Sequence, residues 1–171
     1  MSNFIWAIYY NNAEIVKILL DKGANLDIQN KQRNTALMLA SDRGHIEIAN
    51  MILDKDVNLD IQNNDGRTAL MRASFRGYTK IANMLLDKGA NPDIQDNNGY
   101  TALMWASYIG HTEIVKILLD KGANLDIQNN SGDTALMIAS HRGHTEIANM
   151  ILDKGVNPEK IECTPRLCIL Q

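Results

Sequence analysis

The chain is poor in cysteine: the only two, Cys163 and Cys168, fall within its last nine residues. No disulfide framework can therefore hold its body together, and a reducing, intracellular setting is expected. Charge of one sign is lacking too. A net charge of -3 and a pI near 5.8 give no electrostatic reason to expect nucleic acid or an anionic membrane as the main partner. Long apolar runs are missing as well. Phe4 to Tyr10 has no basic n-region and no small-residue cleavage site, and nothing later approaches membrane-spanning length, so neither a signal peptide nor a transmembrane helix is expected. What remains is 45% hydrophobic and 22% charged, enough for one globular unit or a small repeat array.

The sequence repeats itself. Thr-Ala-Leu-Met begins at Thr35, Thr68, Thr101 and Thr134, an interval of 33 residues each time, and Asp-Ile-Gln keeps the same interval at Asp27, Asp60, Asp93 and Asp126. Leu/Ile-Leu-Asp-Lys does so from Leu19, Ile52, Leu85, Leu118 and Ile151. Within one unit Thr101 can cap a short helix carrying Leu103, Met104 and Ala106, which Gly110 breaks before Thr112 opens a second. That second helix puts Ile114, Ile117 and Leu118 on one apolar face, and Gly122 follows Lys121 where a left-handed cap would fall. Asn124 to Gly132 reads as an extended turn. A lone hairpin cannot bury its apolar side, so the units must stack.

Asn98-Gly99-Tyr100-Thr101-Ala102-Leu103-Met104-Trp105-Ala106 and Gly110-His111-Thr112-Glu113-Ile114-Val115-Lys116-Ile117-Leu118-Leu119 closely resemble the ankyrin repeat, a resemblance that covers residues 2 to about 161. It implies an all-α solenoid of stacked helix-turn-helix pairs with projecting β-turn loops. The units divide as an N-terminal capping repeat at 1–29, repeats at 30–62, 63–95, 96–128 and 129–161, and a tail at 162–171. The wording Thr-Ala-Leu-Met with Asp-Ile-Gln-Asn is also similar to ankyrin proteins of amoeba-infecting giant viruses, which would imply a viral protein in the host cytoplasm.

Some letters depart from the family pattern. Ala36, Ala69, Ala102 and Ala135 stand where proline is common, a nearly free exchange at a helix start. Met38, Met71, Met104 and Met137 replace a histidine and are expected in the core. Asp56 takes the place of the capping glycine seen at Gly23, Gly89, Gly122 and Gly155, where positive φ is expected. Arg33 replaces the turn glycine seen at Gly66, Gly99 and Gly132, and Asn11 a further glycine. The second repeat is thus expected to be the weakest joint.

Positions that vary between near-identical units are those the stack leaves free. Of nine aromatics, Phe4 takes the core leucine place and Tyr78 the place of His45, while Trp6, Tyr9, Tyr10, Phe75, Tyr100, Trp105 and Tyr108 all fall on variable positions. Arg43, Arg76 and Arg142 share one variable place, Arg72 is in register with Trp6 and Trp105, and Arg67 with Tyr100. The resemblance implies that these places are the exposed side of the first helix and the turn tips, lining the concave face. Two readings stand. In one, arginine stems simply lie over aromatic rings and cover the first helices. Alternatively the residues form a groove for an acidic or carboxylate-bearing protein segment, tryptophan, tyrosine and arginine being enriched in binding hot spots.

Catalytic and cofactor chemistry finds no footing in the sequence. His45, His111 and His144 recur beside a glycine as structural turn residues; His141 and His144 with Glu146 lack a defined third metal ligand. Asp60 to Gly66 puts Ile61 at the first ligand position of a calcium loop, which fails. No phosphate-cradling fingerprint arises, and no cofactor or small-molecule substrate is implied. A nucleic-acid binder using Arg43, Arg72, Arg76 and Arg142 is the less favoured alternative. In the tail, Ile161, Leu167, Ile169 and Leu170 either cover the last helix pair or leave it to a partner or a second copy. Cys168-Ile169-Leu170-Gln171 also fits a prenylation box, with Cys163 as a palmitoylation candidate, and so a membrane-tethered scaffold. The reading favoured is a non-catalytic protein-binding module, an adaptor, inhibitor or host-interacting factor.

Overall fold

The computed structural model describes residues 3–155. Cys163, Cys168 and the apolar residues from Ile161 to Leu170 lie outside them, and so do the capping and lipidation readings of the tail. The described residues form ten helices in five hairpins: α1 (Asn3–Tyr9) with α2 (Ala13–Asp21), α3 (Ala36–Arg43) with α4 (Ile46–Leu53), α5 (Ala69–Arg76) with α6 (Thr79–Asp87), α7 (Ala102–Ile109) with α8 (Thr112–Asp120), and α9 (Ala135–His141) with α10 (Thr145–Asp153). Each first helix packs on the first helix of the next hairpin and each second helix on the next second helix, so two parallel rows build an all-helical stack. None of these helices is long and apolar enough to cross a membrane.

The repeated letters build the repeated parts. Thr35, Thr68, Thr101 and Thr134 each accept from the amide three residues on, at 3.3–3.4 Å, satisfying one of the orphan donors of a helix start. Met38, Met71, Met104 and Met137 are buried, as expected. Met38 also keeps a polar task, its Sδ accepting from the Thr35 amide at 3.4 Å. At the ends of α2, α6 and α8 a left-handed glycine closes the helix: Ala24, Ala90 and Ala123 donate back to Leu19, Leu85 and Leu118 at 3.0 Å.

His111 and His144 act on the preceding hairpin. A Cβ at Gly77 would meet the His111 ring at 2.6 Å, and one at Gly110 the His144 ring at 2.7 Å; Tyr78 does the same to Gly44. These rings press on the preceding glycine, and His111 Nε2 also lies 3.2 Å from the Phe75 carbonyl.

The turns are tied into a ladder. The Nε2 of Gln62 and Gln95 donates to the carbonyls of Gln95 and Gln128 at 2.9 Å. Asn97 and Asn130 side chains reach Asn64 and Asn97 carbonyls at 2.8 and 3.0 Å. Along the second helices, Lys88, Lys121 and Lys154 pair with Asp54, Asp87 and Asp120.

Asp56 is where the expectation fails. It does not take positive φ: among the described non-glycine residues only Asn11 and Arg33 do, at 56° and 57°. Instead α4 stops at Leu53, one residue earlier than its counterparts, so no left-handed aspartate is needed. The shift is felt next door. Among the described residues, the rungs that Lys55 would make with Asp21, Asn58 with Asp27, and Gln29 with the Gln62 carbonyl are all missing, though each has counterparts further along. Arg33, by contrast, does adopt the left-handed conformation that glycine holds at its three counterparts.

Candidate aromatic and arginine face

The first-helix row carries the variable residues, because the capping threonine and buried Leu-Met pair fix which side of each helix turns inward. The seven aromatics do not form one stripe; they gather in two clusters. At the N-terminal end Tyr10 lies with its ring 4.3 Å from Trp6 and 5.1 Å from Tyr9. All three are exposed, and Arg43 holds its guanidinium 3.7 Å from the Tyr9 ring centre. In the centre Trp105 is the hub. Phe75 and Tyr108 meet it edge-on at 5.2 and 6.0 Å, and Tyr100 lies tilted over it at 4.7 Å. Arg67 sits 4.5 Å over the Trp105 ring and Arg142 4.2 Å over Tyr108.

Between the clusters lies an ionic knot. Asp42 takes Arg76 Nε at 3.1 Å and Arg72 Nη1 at 3.4 Å, while Arg72 also reaches Asp65 at 3.8 Å. The Asp42 hydrogen bond and charge push the Arg76 guanidinium above its ordinary range, so it stays charged. Burial raises the Tyr100 phenol above its usual value, partly offset by a hydrogen bond to Asn129. His45 moves the other way: burial first, then the charge of Arg43, lowers its imidazole.

Sequence reading missed Asp42 and Asp96. Asp96 holds the loop tip as Asn30, Asn63 and Asn129 do, accepting from the amides two and four residues on. Its second oxygen does more. It accepts from Trp105 Nε1 at 3.1 Å and lies 3.5 Å from Arg67 Nε, with its side chain 1% exposed. The signal was present: Asp96 is the lone acid in a column of asparagines, and it coincides with the repeat that carries Trp105. Arg67 belongs to the same assembly. The arginine-over-ring reading therefore describes Arg43, Arg67 and Arg142, whereas Arg72 is spent on carboxylates. Arg76 does both, lying 5.6 Å over Phe75 as well.

Two grooves, of about 270 and 310 Å³, open between second helices, one lined by Lys116, Leu119 and Met150 and the other by Lys17, Leu20 and Met51.

No curated protein matches the chain. The family model described as ankyrin repeats in three copies matches residues 4–96 and again 88–162. Such repeats are generally protein–protein interaction modules and typically non-catalytic. Matched over nearly its whole described length and built of five stacked hairpins, the chain belongs to the ankyrin repeat family.

Proposed function

We propose that the chain is a non-catalytic recognition module that takes a segment of another protein across its first helices and loop tips, as an adaptor, inhibitor or host-interacting factor. One observation carries this reading. Residues that the stack does not need, Trp6, Tyr9 and Tyr10, stand exposed together at one end of the first-helix row, and Tyr100, Trp105 and Tyr108 continue the same surface. Exposed aromatics cost solubility and contribute nothing to the core. Rigid aromatic and arginine side chains are the anchors that dominate binding energy at interfaces. The second-helix face differs: its Lys and Asp residues pair with one another along the ladder.

The partner is read as a protein with an acidic or carboxylate-bearing stretch, because the cations on this face are arginines, whose planar forks suit carboxylates. Affinity capture from cell extract with wild type and with a Trp6→Ala/Tyr10→Ala variant tests it. A partner retained by wild type and lost by the variant supports the reading. Equal retention by both refutes the surface.

A further inference from the structure

Resting on that reading, we infer that Arg43 and Arg142, rather than Arg72 and Arg76, are the carboxylate receptors of the face, and that they fit an extended segment carrying two acidic groups about eight residues apart. The four arginines look equivalent in sequence. Three-dimensional pairing divides them. Arg72 and Arg76 share Asp42, and Arg72 has Asp65 in addition. Their charge is largely answered within the chain, so an incoming carboxylate would have to displace one already there.

Arg43 and Arg142 have no carboxylate partner among the described residues. Among the described residues the Arg43 guanidinium has no hydrogen bond either, and the Arg142 guanidinium uses only its Nε, on the Tyr108 carbonyl at 3.2 Å. Each is nevertheless held in place by a tyrosine, Tyr9 at 3.7 Å and Tyr108 at 4.2 Å. A guanidinium resting on a ring is oriented in advance while its outer N–H groups remain open, which reduces the ordering cost of a bidentate contact. Arg43 closes α3 and Arg142 follows α9, so three helix-to-helix steps separate them. At about 8–10 Å per packed helix pair, that is on the order of 25–30 Å. An extended chain advances about 3.3 Å per residue, which gives the spacing of about eight. Between the two receptors the segment crosses the Asp42 knot and the Trp105 cluster, where a negative charge gains least and an apolar or neutral side chain fits.

The test is a selection of random 16-residue peptides displayed on phage against the full chain. Calorimetry on the selected peptides follows, using Arg43→Gln, Arg142→Gln, Arg43→Lys and, as control, Lys116→Gln on the second-helix face. Circular dichroism and urea midpoints confirm that each variant is folded. The expected peptides carry two acidic positions at the stated spacing. Either glutamine substitution should weaken them about tenfold, the scale of a lost charge-assisted hydrogen bond, and Arg43→Lys should recover only part of this, while Lys116→Gln leaves them unchanged. Peptides that need Trp6 or Tyr10 but show no acidic spacing, or ignore both glutamine variants, would overturn this inference and leave the recognition reading standing. A selection that yields no binder would overturn both.

Discussion

Arg33 should be the most strained residue of the described backbone, and replacing it with glycine should stabilise the protein. Its φ of 57° lies in the left-handed region, where Gly66, Gly99 and Gly132 take 77°, 79° and 82°. A side chain there costs about 1–2 kcal/mol. There is also a packing cost. A Cβ at Gly66 would meet the Asn97 amide at 2.7 Å, and one at Gly99 the Asn130 amide at 2.7 Å, because the next loop tip closes over these glycines. Arg33 brings such a Cβ, and the bond across this joint is long: Asn64 Nδ2 lies 3.4 Å from the Lys31 carbonyl, against 2.8 and 3.0 Å at the next two joints. Against these gains stand the greater freedom of glycine in the unfolded chain, about 0.4–1 kcal/mol, and an exposed 3.4 Å bond from Arg33 Nε to Gln29. The balance is a gain of about 1 kcal/mol. Urea unfolding of Arg33→Gly should show a raised midpoint at unchanged slope. A lowered midpoint would mean that the Arg33 side chain contributes more than its backbone costs, and the strain argument would be wrong.

Gly77→Ala should cost at least about 2 kcal/mol, because it adds the His111 clash to the left-handed penalty, whereas Gly23→Ala, with nothing near its Cβ, should cost only about 1 kcal/mol; equal midpoints would remove His111 from the account. Trp105→Ala should weaken partner binding but also destabilise the stack by about 3 kcal/mol, since it removes a ring hub and leaves the second Asp96 oxygen to Arg67 alone. Thermal melts would show this, and an unshifted melt would mean that the cluster is mere surface. Lowering of the folded His45 pKa means that the unfolded state takes up a proton first as pH falls below 6.5. Stability is complete above that value and declines below it until the folded group titrates too. His45→Gln should flatten that slope between pH 7.5 and 5.5, and an unchanged slope would place the effect elsewhere. Asp42→Asn should cost no more than about 1 kcal/mol of stability, as a part-exposed pair, and should tighten binding of acidic peptides by releasing Arg76 and leaving Arg72 to Asp65 alone; weaker binding would contradict the pairing argument.

The scaffold was legible because its determinants recur: a threonine cap, a Leu-Met pair and a closing glycine repeated at one interval specify helix starts, buried faces and helix ends independently of one another. Asp56 shows the limit of that logic. The pattern identifies the position where glycine would be left-handed, but not that the chain escapes the penalty by ending α4 a residue early. Arg33, given the same reading, has no such escape, because its turn is held from both sides by Gln29 and by the Asn30 side chain. Pairing on the face was hidden for a different reason. Asp42 meets Arg76 at a separation of 34, the offset that also joins Asp54 to Lys88 and Asp87 to Lys121. Reading columns at an interval of 33 aligns equivalent residues, and the loop-tip amides do meet at that interval; these ion pairs run one position off the column, and only the stacked geometry supplies the offset.

The most direct test of the central claim is a calorimetric comparison, with a captured partner or selected peptide, of Tyr10→Ala on the exposed end of the first-helix row and Lys116→Ala on the second-helix face. Recognition across the first helices requires Tyr10→Ala to lose about 2 kcal/mol, the hot-spot scale, and Lys116→Ala to lose less than about 0.5 kcal/mol. Equal effects, or a larger loss at Lys116, would place the partner on the other side of the stack.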